Sequence, residues 1–225
     1  VNATASTTNG DDTIETQFTF LTGTTIDGGG GDDTLQVTDG GTFSINNNIT
    51  NILTLDLTQA AASSSVSGNV QAFENVNLSN AGDTVTITGQ QTVFINGGTG
   101  DDMVIYESFT AFAGNPRNNP ANMNDNLTDQ GGTDTVQVND PFRVDEDLSL
   151  IRAGGFERLV QNDAGAADFK LDTAAADINV IDVSAYTANS MVDASNRTDA
   201  ISIETGTGDD TLTGGSGDDS LTGGD

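Results

Sequence analysis

A parallel β-solenoid, all-β and built from short coils, is the fold that this sequence predicts. Three observations predict it: a glycine-rich nonapeptide that recurs along the chain, apolar residues alternating at period two with small polar ones, and sparse helix signals. The nonapeptide reads G-G-x-G-x-D-x-U-x, where U is a large apolar residue. It is complete at 28–36 (GGGGDDTLQ) and 97–105 (GGTGDDMVI). It runs head to tail at 205–213 (TGTGDDTLT) and 214–222 (GGSGDDSLT), and starts again at 223–225. Weaker copies stand at 9–14 (NGDDTI) and 131–136 (GGTDTV).

Each part of the motif has a physical role. The glycines allow a tight turn with positive φ and bring backbone carbonyls close to a common point. The sixth-position aspartate adds a hard anionic oxygen. The three residues after it form a short strand whose central apolar side chain, such as Leu35 or Val104, points inward. Turns of this kind, stacked, make an all-oxygen cage suited to Ca²⁺. A lone glycine turn ending in Asp-Asp reads as a hairpin loop; several copies, two of them in tandem, support a metal.

Between the turns, period-two alternation predicts strands at 34–37, 53–57, 85–87, 178–183 and 201–203. Gly, Asn and Asp punctuate them. Asn and Thr at repeated strand positions suit ladders running from coil to coil. The run 60–65 holds only small side chains and reads as a loop or one helical turn.

A longer repeat overlies the short one. The stretch 33–39 (DTLQVTD) matches 134–140 (DTVQVND), and each leads through an F-E segment, at 72–78 and 155–160, to a further nonapeptide. This order predicts a first solenoid unit over 1–112, an exposed Asn/Pro-rich excursion over 113–130 and a second unit over 131–225. Pro116 and Pro120 are incompatible with an inner strand. The excursion reads as a tolerated insertion or a contact surface.

The 225 residues carry 34 acidic against 6 basic side chains, a formal charge of −28. A compact state with that charge repels itself unless cations are bound. Nucleic acid is excluded as a partner because no basic patch meets phosphates. The chain has no Cys and no His, which excludes disulfides, zinc sites and imidazole-based triads. No apolar run approaches the ~20 residues of a membrane helix, so direct membrane insertion is not expected. The start shows no signal-peptide pattern; beginning without Met and stopping inside a repeat, the chain reads as a segment of a longer one.

The tandem TGTGDDTLTGGSGDDSLTGGD resembles the RTX, or haemolysin-type, calcium-binding repeat of bacterial proteins exported by type I secretion. The order of GGTDTVQV, GGFERLV and a later nonapeptide is similar to RTX surface-layer proteins and large RTX adhesins. The resemblance implies a right-handed β-roll or parallel β-helix with several Ca²⁺ ions, folding outside the cell, and Ca²⁺-dependent assembly. It implies carboxylate ligands at Asp33, Asp102, Asp210 and Asp219. It implies carbonyl ligands from turn residues such as Gly28, Gly30, Gly97, Thr99, Thr207 and Ser216. Asp12 and Asp134 match only the later part of the motif, with Thr7 and Asp129 where glycine opens the turn elsewhere. The preceding Asp32, Asp101, Asp209 and Asp218 serve as second ligands or tune the local charge.

The function expected is structural: a secreted, calcium-binding segment that self-assembles into a lattice or filament at the bacterial cell surface. Cell-surface polysaccharide is a candidate further partner. The alternatives are an adhesin stalk or ligand-binding module and, less favoured, an accessory module of a polysaccharide-modifying enzyme. Catalysis in the chain itself is not expected. It has one lysine, Lys170, and five arginines, of which Arg143, Arg152 and Arg158 either cluster or pair with Asp145, Glu146, Asp147 and Glu157. Tyr106 and Tyr186 belong to no recognisable constellation.

Overall fold

Alternating apolar and polar residues between glycine turns give strands too short to stand alone, so each gains stability only by stacking on the next coil. The computed structural model shows this stacking; it describes residues 4–21, 23–89, 93–107, 126–139, 146–147, 153–162, 168–170 and 177–224. Among these residues every strand pairing is parallel. The fold is a β-solenoid with almost no helix; the described residues hold only Phe18–Leu21 and a 3₁₀ turn at Val70–Ala72.

Nine strands form the longest sheet: Gly41–Ile45, Ser64–Gly68, Thr84–Ile87, Met103–Tyr106, Asp134–Val138, Phe156–Gln161, Val180–Val183, Ser202–Thr205 and Ser220–Thr222. A seven-stranded sheet runs from Thr13–Thr16 through Thr34–Val37, Thr54–Asp56, Asn75–Asn77, Phe94–Asn96 and Asn126–Thr128 to Ala153–Gly154. A three-stranded sheet (Thr4–Ser6, Thr25–Asp27, Ile49–Thr50) accompanies the first coils. A four-stranded one (Glu146–Asp147, Asp168–Lys170, Met191–Asp193, Thr211–Thr213) accompanies the last.

Register explains the core. Phe43, Val66, Val85, Val104, Val136, Leu159, Ile181, Ile203 and Leu221 occupy one position of the nine-stranded sheet, each paired with the next. Ile14, Leu35, Leu55, Val76, Ile95 and Leu127 do the same in the seven-stranded sheet. Because strand side chains alternate between faces, one apolar residue per strand aimed inward suffices for a continuous column. Burial is complete in mid-column, at Leu55 and Val104, and falls off at the last rung, where Leu221 is 43% exposed.

The structure bears on four expectations. Ser64 and Ser65 begin a strand, so the run 60–65 is a turn followed by strand rather than a loop or helical turn throughout. Met103–Tyr106 pairs in register with 135–138, so the sheet crosses the expected boundary between units without a break. Residues 113–125 of the expected excursion lie outside the described residues, but Asn126–Thr128 is a strand of the seven-stranded sheet. The inserted length shows in the coil offset, 19 residues at Asp83–Asp102 and 32 at Asp102–Asp134. Finally, Arg158 pairs with Asp182 on the neighbouring strand at 3.7 Å, a partner the sequence does not single out. Arg143 and Arg152 lie outside the described residues.

Leu55→Ala is expected to cost about 2–5 kcal/mol, because the cavity it leaves is walled by stacked neighbours. Leu221→Ala, on the exposed rung, should cost far less. Equilibrium denaturation of the two variants tests this; equal losses would show that the columns do not carry the core.

Candidate metal centre

A buried carboxylate must have its lone pairs satisfied. In this solenoid the sixth-position aspartates meet that demand by accepting backbone N–H groups from two coils. At the corner where the seven-stranded sheet turns into the nine-stranded one, Asp102 Oδ1 accepts the Asp83 N–H at 2.6 Å. Its Oδ2 accepts the Gly98 N–H of its own turn at 3.2 Å. Asp83 repeats the arrangement, with Ser64 N–H on Oδ1 and Ser79 N–H on Oδ2, both at 2.6 Å. Asp134 Oδ1 accepts the Asp102 N–H at 2.6 Å, and Glu157 Oε2 accepts the Asp134 N–H at 2.8 Å. The ladder thus fixes the spacing of the coils at this corner.

At Asp134 the second half of the pattern breaks. The donor four residues back, Gln130 N–H, goes instead to the Gly98 carbonyl at 3.1 Å. Asp134 Oδ2 is left buried with no partner. Asp129 stands where the turn elsewhere opens with glycine, and its Oδ2 accepts the Gly131 N–H. Its Oδ1 is also buried without a partner. One carboxylate oxygen each from Asp102, Asp129 and Asp134 lies within 4.8 Å of the others, the one such trio among the described residues. Asp102 and Asp134 are essentially inaccessible to water, and Asp129 is half-buried.

The electrostatics match the geometry. Burial pushes the Asp102 carboxyl up to about 6, with the charges of Asp83 and Asp129 adding to it. Asp134 is pushed up to about 7, again mainly by burial, with Asp129 beside it contributing. Carboxylates crowded out of water favour a proton or a cation among them.

The residues fit a hard cation. The donor set is all oxygen, in a chain without His or Cys. Gly97 forms the cradle: a Cβ there would overlap Asp129 Oδ1 and stand 3.0 Å from Asp102 Oδ2. Glycine is therefore required by close approach, not by φ.

The other expected ligands fall at three further corners. Asp33 Oδ1 accepts the Asp12 N–H at 2.9 Å, and Oδ2 of both residues is buried without a partner. Gly29 takes φ +83° in that turn, a conformation that glycine adopts without steric cost. The Gly28 carbonyl accepts the Thr7 hydroxyl, and the Gly30 carbonyl accepts the Gly10 N–H at 2.5 Å, so both serve coil-to-coil bonding. Asp210 Oδ1 accepts the Ser190 N–H at 2.7 Å, with Oδ2 orphaned; Asp219 Oδ1 accepts the Ile201 N–H at 3.1 Å.

Asp32, Thr99, Asp101, Thr207, Asp209, Ser216 and Asp218 are exposed. They build an outer ladder of turns: Asp32 N–H to Asp11 Oδ1 at 3.0 Å, Thr99 N–H to Asn80 Oδ1 at 3.2 Å, Thr133 N–H to Asp101 Oδ1 at 2.8 Å and Asp209 N–H to Asn189 Oδ1 at 3.0 Å. Thr207 and Ser216 donate their N–H groups to the Tyr186 and Arg197 carbonyls, each at 3.0 Å.

The sequence reading named Asp102 and Asp134 for this centre but not Asp129, Asp83 or Glu157. A usable signal existed for Asp129: it precedes Asp134 by the same interval that separates Gly97 from Asp102. No protein-family model, curated protein or solved structure matches this chain.

Because burial raises both carboxyls, folding favours their neutral forms. That contribution is complete below the ordinary carboxylate value near 4 and is lost as pH rises through about 6 for Asp102 and about 7 for Asp134. Metal-free protein should therefore lose stability as pH rises from about 4 to about 7. Asp134→Asn, whose amide oxygen still accepts the Asp102 N–H, should flatten that decline in thermal melts run in chelator. An unchanged slope would place its origin elsewhere.

Proposed function

We propose that this chain is a calcium-ordered β-solenoid segment of a secreted cell-surface assembly of the surface-layer type. The observation that carries the reading is the trio of carboxylate oxygens at Asp102, Asp129 and Asp134, two of them orphaned in a corner closed to water. Calcium suits it better than magnesium, because Ca²⁺ accepts an irregular shell of about 6–8 oxygens at about 2.3–2.6 Å, whereas Mg²⁺ demands a near-ideal octahedron. The ion supplies positive charge where the fold concentrates negative charge. Asp102, Asp129 and Asp134 would hold it, and the orphaned oxygens of Asp12, Asp33 and Asp210 mark further candidate positions.

Metal binding at such corners is folding free energy, since the unfolded chain has no assembled site. A net charge of −28 sharpens the dependence. In a cytosol poor in free Ca²⁺ the chain stays unfolded; outside the cell it folds. The likeness of 205–225 to RTX arrays supports secretion and assembly, and the small share of cationic side chains, 6 in 225, supports a structural rather than catalytic role.

Chelation at neutral pH is expected to abolish most of the β-structure seen by circular dichroism, and Ca²⁺ to restore it. Asp129→Asn combined with Asp134→Asn should lower the number of bound Ca²⁺ by one in equilibrium dialysis. A spectrum indifferent to excess chelator would overturn the calcium reading. Electron microscopy with and without Ca²⁺ tests assembly: sheets or filaments that appear only with the ion are expected, and dispersed monomers would favour the adhesin alternative.

A further inference from the structure

A groove of about 600 Å³ runs beside the metal corner, along the solenoid axis. Gln59, Asn77, Asn80, Asn96, Thr128 and Gln130 line it, contributed by four successive coils. At the ~4.8 Å separation of neighbouring strands, four coils give a track about 14 Å long. Its chemistry is almost entirely amide and hydroxyl.

The amides are held in place. Asn96 Nδ2 donates to Asn77 Oδ1 at 2.7 Å, the Thr128 hydroxyl donates to Asn96 Oδ1 at 2.8 Å, and Asn80 Oδ1 accepts the Thr99 N–H at 3.2 Å. These bonds set which way each amide faces. They leave the amide N–H groups of Asn77 and Asn80 without an acceptor among the described residues. Donors fixed before a ligand arrives lose little conformational entropy on binding.

The same lining argues against other occupants. Among the described residues that line it there is no Lys or Arg, so an anionic polymer meets no counter-charge there on a chain of net charge −28. Its described lining holds no aromatic, Met or Arg anchor, and the one large apolar residue among them, Leu78, is 2% exposed, so a protein partner finds no buried hot spot there. What remains is a ligand rich in uncharged hydroxyls, each able to donate and accept, and repeating along its length as the groove does. Phe94 stands on the same face of its strand as Asn96 and is 36% exposed, giving one apolar surface at the margin.

We propose that this groove binds a neutral polysaccharide lying along the solenoid axis, recognised through hydrogen bonds from the Asn77–Asn96–Thr128 ladder and from Gln130. The site shares only Asp129, Gly97 and Gly98 with the metal corner, and its hydrogen bonds do not pass through an ion. It rests on the proposed function only for its cell-surface setting.

Affinity electrophoresis of the folded chain through gels containing dextran, mannan, galactan or laminarin tests it, with polygalacturonate as the anionic comparison. Retardation by at least one neutral polymer is expected. Asn96→Ala with Gln130→Ala should weaken it about tenfold or more, the loss of two or more hydrogen bonds worth about 1 kcal/mol each. Gln130→Ala alone, at an exposed position, should give a smaller loss in the same direction. Thr86→Ala, on the outer face of the nine-stranded sheet, should leave retardation unchanged. Circular dichroism of each variant in Ca²⁺ separates lost binding from lost folding. If the chain proves to fold without Ca²⁺, the same gels run in chelator keep the result readable. No retardation of the folded protein by any neutral polymer, retardation by polygalacturonate alone, or equal retardation of wild type and double variant would overturn the proposal.

Discussion

Everything in this molecule is arranged around buried aspartates that must accept backbone N–H groups. A solenoid corner is a place where the backbone leaves the sheet ladder and exposes unpaired donors. Leaving such groups buried and unpaired costs about 1–3 kcal/mol each, and more when a charge is involved. Asp83, Asp102 and Asp134 answer this by bridging coil to coil, each taking an N–H from the equivalent residue of the coil before. The carboxylate is thus a staple first. Its second oxygen is where chemistry enters. Where the turn supplies a donor, as Gly98 does for Asp102, that oxygen is satisfied within the protein. Where it does not, as at Asp33, Asp134 and Asp210, the fold holds an anionic lone pair that water does not reach.

The nine-residue period relates to the coil in a simple way. At the end of the chain the two tandem nonapeptides place their strands, Thr211–Thr213 and Ser220–Thr222, in different sheets. The corresponding coil offset is 18 residues at Ile201–Asp219, so each nonapeptide is half a coil. Elsewhere the coils are longer, 21 residues at Asp12–Asp33 and 20 at Ser190–Asp210. Strand register is nonetheless kept, because each coil needs only one inward apolar residue per strand and one carboxylate at a corner. Extra residues between these fixed points do not disturb the stack, and the offset of 32 at Asp102–Asp134 is the largest case.

Much of this was legible in the sequence because its signals are local. Period-two alternation located Thr34–Val37 and placed Leu55, Val85 and Ile203 in the core. The G-x-D-x-U signature located the corners that hold Asp33 and Asp102, which the structure buries. What was not legible depends on which coil lies beneath which. The bond from Arg158 to Asp182 joins neighbouring strands whose alignment no local pattern reports. The coil-to-coil bonding of Gly28 and Gly30 was also hidden: their carbonyls accept the Thr7 hydroxyl and the Gly10 N–H of the preceding coil. Asp83 was missed because its turn, 78–83, lacks the opening glycines; the stacking position, not the glycines, makes it a staple.

The centre itself shows why a departure from a repeat can carry more information than the repeat. In the turn that opens at Gly97, the space beside Asp102 is left for backbone N–H groups, and both carboxylate oxygens are satisfied within the protein. Asp129 fills the equivalent space in the next coil with a second carboxylate, while Gln130 N–H is drawn away to Gly98. Two carboxyl groups then face each other across a gap that Gly97 keeps open from the coil before. The backbone bonds on Asp129 Oδ2 and Asp134 Oδ1 hold both in place. A corner that holds three carboxyls this close favours a proton or a cation among them, and a cation bound there would couple its binding to the order of the solenoid.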